Sequence, residues 1–211
     1  MNLLNKKQLV ALRGTILMVL ALMLGGCATQ AYPPAPATPD KLYDWNYLIG
    51  PGDTVSVFVW RNPEVSGSFP VRPDGKMTMN LVEDLPAAGK TPTHLARDIE
   101  KALSKYIQDP IVTVIVSGGV GPYSQQIRVV GQATKPQALN YREHMSLIDV
   151  MIAVGGITDF AAGNKAVILR TVNGKQQRFG VRLDDLVNGG DISANVEMRP
   201  GDVLIIPESW F

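Results

Sequence analysis

The chain is short of the residues that most enzymes and metal sites draw on. Its 211 residues hold one cysteine, Cys27, and two histidines, His94 and His144. One cysteine excludes a disulfide framework, and with two histidines it leaves almost nothing for a structural zinc site. No cofactor or metal is expected. Charge is sparse at 18% of residues, and 20 basic against 19 acidic side chains give a net charge of +1. That balance supplies no broad basic field for phosphates, so nucleic acid is not an expected partner. What the chain does have is glycine and proline, 20 and 15 of them, beside a 45% hydrophobic content. Such a composition supports a real core in a turn-rich fold with many short strands, as one large domain or two small ones.

The N-terminus reads as an address. Residues 1–26 carry Lys6, Lys7 and Arg13 and no acid, and an uncharged run from Gly14 to Gly26 leads to Cys27. Thirteen helical residues would reach about 20 Å, short of a bilayer core of about 30 Å. A positive start, a short apolar stretch and small residues at the break are the pattern of a secretory signal. Leu24-Gly25-Gly26-Cys27 also resembles the bacterial lipobox, where the Cys thiol takes a diacylglycerol. The alternative is a plain secretory signal with a chance cysteine. Ala28, rather than Asp, follows the cysteine, which by the same resemblance directs the protein to the outer membrane. Loss of residues 1–26 removes three of the 20 basic residues, leaving 17 against 19 acidic, a net charge of −2. Residues 27–41 then form a Pro/Ala-rich stretch, expected to be an extended, poorly ordered tether. Acyl chains anchor by burying CH₂ groups, so the reading needs no transmembrane helix.

The rest divides into two small α+β units. In the first, Gly50-Pro51-Gly52-Asp53 is turn chemistry, and Val55, Val57 and Val59 alternate in a strand. Val71 to Met79 reads as a hairpin with Asp74-Gly75 at its tip. Thr91-Pro92 opens a helix as N-cap and first residue, with Leu95, Ile99, Ala102, Leu103 and Tyr106 on one face. Asp109-Pro110 stops it before the β-rich run Ile111–Val116. In the second unit, Ile127–Val130 is a strand, and Ser146 caps a helix over Leu147–Val154 that ends at Gly155-Gly156. Asn173-Gly174 joins strands Ala166–Val172 and Gln176–Phe179. Leu183–Val187 is a short helix. Arg199-Pro200-Gly201-Asp202 feeds a last strand, Val203–Ile206. The two Pro-Gly-Asp turns echo each other. The plain reading makes Gly50, Pro51, Gly52, Asp53, Pro200, Gly201 and Asp202 structural turn residues, and a ligand role for Asp53 and Asp202 is the alternative.

Catalytic patterns are almost absent. Ala88-Gly89-Lys90-Thr91 imitates the end of a phosphate loop, but its first Gly position holds Asp84. No Gly-x-Ser-x-Gly elbow occurs. His94 and His144 read as an exposed helix residue and a loop residue. Glu83-Asp84 and Asp184-Asp185 are adjacent pairs whose side chains diverge, unlike the facing carboxylates of a glycoside hydrolase. No catalytic residue is expected, although a polysaccharide-processing enzyme stands as a third reading.

Leu48-x-Gly50-Pro51-Gly52-Asp53, Val71–Gly75, Leu81-Val82, Ala88-Gly89, the Thr91–Tyr106 helix and Asp109-Pro110, in that order, resemble the N-terminal domain of the outer-membrane polysaccharide export family. Val129–Pro136, Leu147–Gly156 and Arg199–Pro207 resemble a soluble-ligand-binding β-grasp (SLBB) domain. Thr158–Lys165 looks most like the exosortase-associated exporters of that family. The resemblance implies an α+β fold: a polysaccharide export domain over 42–119, then a β-grasp domain over 126–208. It also implies a lipid-anchored outer-membrane protein facing the periplasm. Such a protein forms a homo-oligomeric ring, with exopolysaccharide as cargo and an inner-membrane copolymerase as partner. Longer members continue into a membrane-crossing amphipathic helix, whereas this chain has only Glu208-Ser209-Trp210-Phe211 after Pro207. A separate outer-membrane β-barrel is therefore expected, with Trp210 and Phe211 docking a partner, grazing lipid or folding back on their own domain. Gln137 stands where the β-grasp turn usually has glycine. The other functional class is a monomeric periplasmic carbohydrate- or ligand-binding lipoprotein.

Overall fold

Residues 32–36 and 45–210 are described in a computed structural model of the chain. Cys27, the expected signal over 1–26, most of the expected tether and Phe211 lie outside them.

In the first domain alternating apolar residues make one buried sheet face. Strand β1 (Thr54–Val59) buries Val55, Val57 and Val59. It sits between β2 (Gly67–Pro70) and β5 (Val112–Ser117), both antiparallel to it, in the order β2-β1-β5. Helix α1 (Pro92–Leu103) starts as its sequence dictates: the His94 N–H donates to Thr91 Oγ1, and Pro92 needs no partner in the first turn. Its buried Leu95, Ala96, Ile99 and Leu103 share one core with β1 and with Met77 and Met79.

Two expectations fail here. The Asp74-Gly75 turn forms, with the Arg72 N–H donating to Lys76 O at 2.8 Å. The strand after it, β3 (Lys76–Met79), however, pairs with β4 (Val82–Pro86) and not with β2. A turn fixes chain reversal but not ladder pairing: β2 pairs only with β1 and keeps its other edge without a strand. Tyr106 does not join the apolar face either: α1 ends at Leu103, and Tyr106 is exposed.

The second domain is a mixed five-stranded sheet ordered β7-β6-β10-β8-β9. Its strands are β6 (Ile127–Gly131), β7 (Ala138–Leu139), β8 (Ala166–Val172), β9 (Lys175–Val181) and β10 (Val203–Ile206). The last strand lies parallel to β6 and antiparallel to β8, the β-grasp arrangement. Helices α2 (Leu147–Val154) and α3 (Leu183–Val187) add Leu147, Val150, Val154, Leu183 and Leu186 to its core. The Asp149 carboxylate reaches back to the Ser146 N–H and hydroxyl, at 2.9 and 2.6 Å, and Gly155 ends α2 in the left-handed region. Those bonds, the hydroxyl's first, hold the Asp149 carboxyl below its ordinary range. Asn173 and Gly174 both take positive φ, 52° and 74°, as a tight hairpin requires. Gln137 has no positive φ among the described residues, so glycine is not needed there; its side-chain amide donates to Ala153 O at the end of α2.

Part of the expected tether is ordered on this domain. The Gly180 N–H donates to Pro33 O at 2.9 Å, the Ala35 N–H donates to Gly180 O at 3.2 Å, and Ala35 is buried in the second core.

Candidate functional site: the clamped junction between the domains

Ser117 to Gln126 connects the two domains, and both Pro-Gly-Asp turns close on it. The turns are the same object built twice. Asp53 N–H donates to Gly50 O at 3.2 Å, and Asp202 N–H to Arg199 O at 3.1 Å. Proline holds the second position, and the glycines have φ of 92° at Gly52 and 84° at Gly201, the type II pattern. In each, the aspartate carboxylate then accepts from the first residue's N–H, Gly50 or Arg199, at 2.8 Å.

Each turn presses on the connector. A Cβ at Gly50 would lie 2.1 Å from the carbonyl carbon of Gly121, and one at Gly201 would lie 2.5 Å from Ser124 O. Only a glycine allows backbones this close. Asp53, fully buried, also accepts from the Val120 N–H at 2.8 Å and from the Tyr47 hydroxyl. The Gly121 N–H in turn donates to Tyr47 Oη at 3.0 Å. One carboxylate and one phenol thus tie the connector to the first domain. Beside them Trp45 packs edge-on against Tyr141 of the second domain, ring centres 5.2 Å apart.

Asp202 uses a charged partner. Arg170, 3% exposed, donates from Nε to Oδ1 at 3.0 Å and from Nη2 to Oδ2 at 2.7 Å, and its Nη2 also reaches Glu197 O. Its guanidinium lies over the Phe179 ring. The sequence reading did not foresee Arg170, Tyr47 or Trp45. A signal for Arg170 was present: Ala166, Ile168 and Arg170 share one strand face, and a charge in that register needs a buried partner.

Burial, and after it the hydrogen bond to Asp53, pushes the Tyr47 phenol up. A raised folded pKa stabilises below the phenol's ordinary value of about 10, and that contribution is lost as pH rises past it. Tyr47→Phe should therefore flatten the fall in stability above about pH 10. Urea denaturation at pH 9 and pH 11 measures this, and an unchanged alkaline slope would exclude Tyr47 as its source.

The other sequence candidates do not converge. Asp84 pairs with Arg72 at 2.6 Å, and Asp185 pairs with Arg182 at 2.9 Å, in different domains. The loop Ala87–Lys90 has no free amides to cradle a phosphate. The Ala87 and Ala88 N–H groups donate to Gly75 O, that of Gly89 to Ile49 O and that of Lys90 to Ala87 O. His94 is exposed on α1, and the His144 Nδ1 lies 3.4 Å from Glu197 Oε1. No group of metal-binding side chains occurs among the described residues. A cavity of about 570 Å³ lies beside α2, lined by Asn140, Arg142, Glu143, His144 and Ile152.

One surface was also missed. The outer face of the β2-β1-β5 sheet carries Phe58 and Ile115, with Trp60 and Ile111 at the strand ends. All four are more than half exposed, and the nearby face positions Ser56, Ser68 and Thr113 hold hydroxyls. Strand alternation places these opposite the valine core.

The fold is a two-domain α+β architecture with a clamped junction, and no catalytic centre is assembled among the described residues. Residues 43–117 match the polysaccharide biosynthesis/export protein family, and residues 125–206 match the SLBB domain. The chain belongs to the outer-membrane polysaccharide export family, with one SLBB domain. That family comprises export components, not enzymes. The chain is similar to the EPS I polysaccharide export outer membrane protein EpsA of Ralstonia nicotianae, 27% identical over 187 residues. The protein of that name from Ralstonia solanacearum is 27% identical over 182 residues. These alignments cover 77% and 75% of this chain and 47% of each relative. The chain thus spans about half the length of the curated relatives it matches.

Proposed function

We propose that this protein is an outer-membrane lipoprotein, anchored through Cys27 and facing the periplasm, that exports exopolysaccharide as a homo-oligomeric ring. The reading rests on the export and SLBB domains occurring together in that order, and on relatives named as polysaccharide export outer membrane proteins. The neutral, uncovered sheet face around Phe58 and Ile115 is compatible with subunit contact, because large apolar patches are rare on monomers. No helix among the described residues is long and apolar enough to cross a membrane. In this reading an inner-membrane copolymerase delivers the polymer, and a separate outer-membrane β-barrel partner carries it across.

The test is deletion of the gene, with surface and periplasmic polymer measured separately and complementation by wild type and by Cys27→Ala. Loss of surface polymer, restored by wild type alone, is the expected result. Normal surface polymer in the deletion strain would overturn the export reading. Full rescue by Cys27→Ala would overturn the anchor.

A further inference from the structure

A groove on the first domain carries side chains that neither the core nor the junction uses. It has a volume of about 550 Å³ and lies between the β3–β4 hairpin and the end of α1. Small-ligand sites span about 300–1,000 Å³. Tyr106 and Leu81 line the groove and are 62% and 54% exposed. Past the end of α1 the Tyr106 and Ile107 N–H groups both donate to Leu103 O, and Ile107 packs on the core while the Tyr106 ring stays outside. Leu81 sits in the hairpin turn at a φ of 70°, which glycine or asparagine adopts at less cost. A bulky apolar side chain is thus kept outside the core in a strained position. Thr78, Glu83, Asp84 and Lys105 supply the polar part of the lining. Arg72 engages Asp84. The side chains of Glu83, Lys105 and Tyr106 have no hydrogen-bond or ion-pair partner among the described residues. Glu83 and Lys105 therefore face one groove with opposite charges and do not pair with each other.

We propose that this groove binds a stretch of glycan, with the Tyr106 ring stacked on a pyranose face and Glu83 and Lys105 bonding the sugar hydroxyls. The C–H groups on a pyranose face are weakly positive and meet the negative face of an aromatic ring. The hydroxyls around that face both donate and accept. A carboxylate only accepts and an ammonium only donates, so one of each, both without protein partners, answers them. Glu83 and Asp84 against Lys105 disfavour a nucleotide or free phosphate. A lipid tail would bury both charges without partners. The choice of the exported polymer as this glycan rests on the export reading. One ring and two charges hold a sugar weakly, so a passing polymer is guided and released.

The test is saturation-transfer NMR on the full-length protein in detergent. The probe is a set of oligosaccharides made by partial acid hydrolysis of the polymer that the strain itself secretes. Wild type should transfer saturation to them, most strongly to the C–H protons of one sugar face. Tyr106→Ala should weaken binding about fivefold, the scale of one lost aromatic contact. Tyr106→Phe keeps the ring and should bind as wild type does. Glu83→Gln with Lys105→Met should also weaken binding, while leaving the ring in place. All these side chains are exposed, so unfolding does not confound the comparison. No transfer to the fragments, or binding that both Tyr106→Ala and the double variant leave unchanged, would overturn the groove. So would a change of the Tyr106 signals on raising protein concentration without sugar, which would seat a second copy there. The deletion strain separates this result from the export reading. Lost surface polymer together with fragments that do not bind overturns the groove alone. Normal surface polymer overturns the export reading, and with it the choice of this polymer as the ligand.

Discussion

Arg170→Met should destabilise the protein by about 3–5 kcal/mol, the cost of leaving one member of a buried ion pair alone. Asp202 is 1% exposed, and after the substitution it would keep only the Arg199 N–H. Methionine fills much of the space over Phe179, so the loss comes from the stranded charge and not from a cavity. Adding Asp202→Asn removes that charge and keeps an acceptor for Arg199, so the double variant should recover most of the loss. Urea denaturation of the three proteins measures this. A single-variant loss under about 1 kcal/mol would place the pair with ordinary surface salt bridges.

Gly50→Ala should cost about 3 kcal/mol, because its methyl group would collide with connector backbone that is held from several sides. The Gly121 carbonyl carbon and oxygen would lie 2.1 and 2.2 Å away. Gly52→Ala, two residues on, meets nothing within 4 Å and is strained only by its φ of 92°. That strain is worth about 1–2 kcal/mol. The two variants also differ in kind. Gly50→Ala should push the connector off Asp53 and speed hydrogen exchange at the Val120 and Gly121 amides, whereas Gly52→Ala should leave both protected. Equal exchange in the two would mean that Gly50 does not clamp the connector. In the proposed ring every copy must present its two domains at one angle for the symmetry to close. A loosened connector would therefore weaken assembly as well as stability.

The clamp explains why turn chemistry recurs at sites that would otherwise invite a ligand reading. A buried aspartate after Pro-Gly looks like a spare acid. Here Asp53 is occupied by Tyr47, Gly50 and Val120, and Asp202 by Arg170 and Arg199. With every strong acceptor position engaged, these carboxylates position backbone. The surface left open is the apolar outer sheet face, which favours contact with another protein over chemistry.

Local chemistry made much of the fold readable. Thr91-Pro92 starts α1, Ser146 and Gly155 bound α2, and Asn173-Gly174 turns β8 into β9. Each depends on φ preferences and hydrogen bonds spanning three or four residues. Strand choice was less readable, as β3 shows. The Asp74-Gly75 reversal is local, but β3 pairs forward with β4, a choice that no turn residue encodes.

The two Pro-Gly-Asp turns mark the division. Their sequence by itself determined their shape: proline presets φ at the second position, glycine accepts a positive φ at the third, and aspartate reaches back to the first N–H. Tertiary structure alone decided that both turns grip one connector, that Val120, 67 residues on, completes the Asp53 site, and that Arg170 meets Asp202 across 32 residues. It alone decided that Pro33–Ala35 is held on the β9 edge at Gly180 and is not slack tether. The physical reason is range. A turn satisfies its own backbone, while a buried carboxylate, a glycine contact or a sheet edge is satisfied only by whatever the completed fold brings to it.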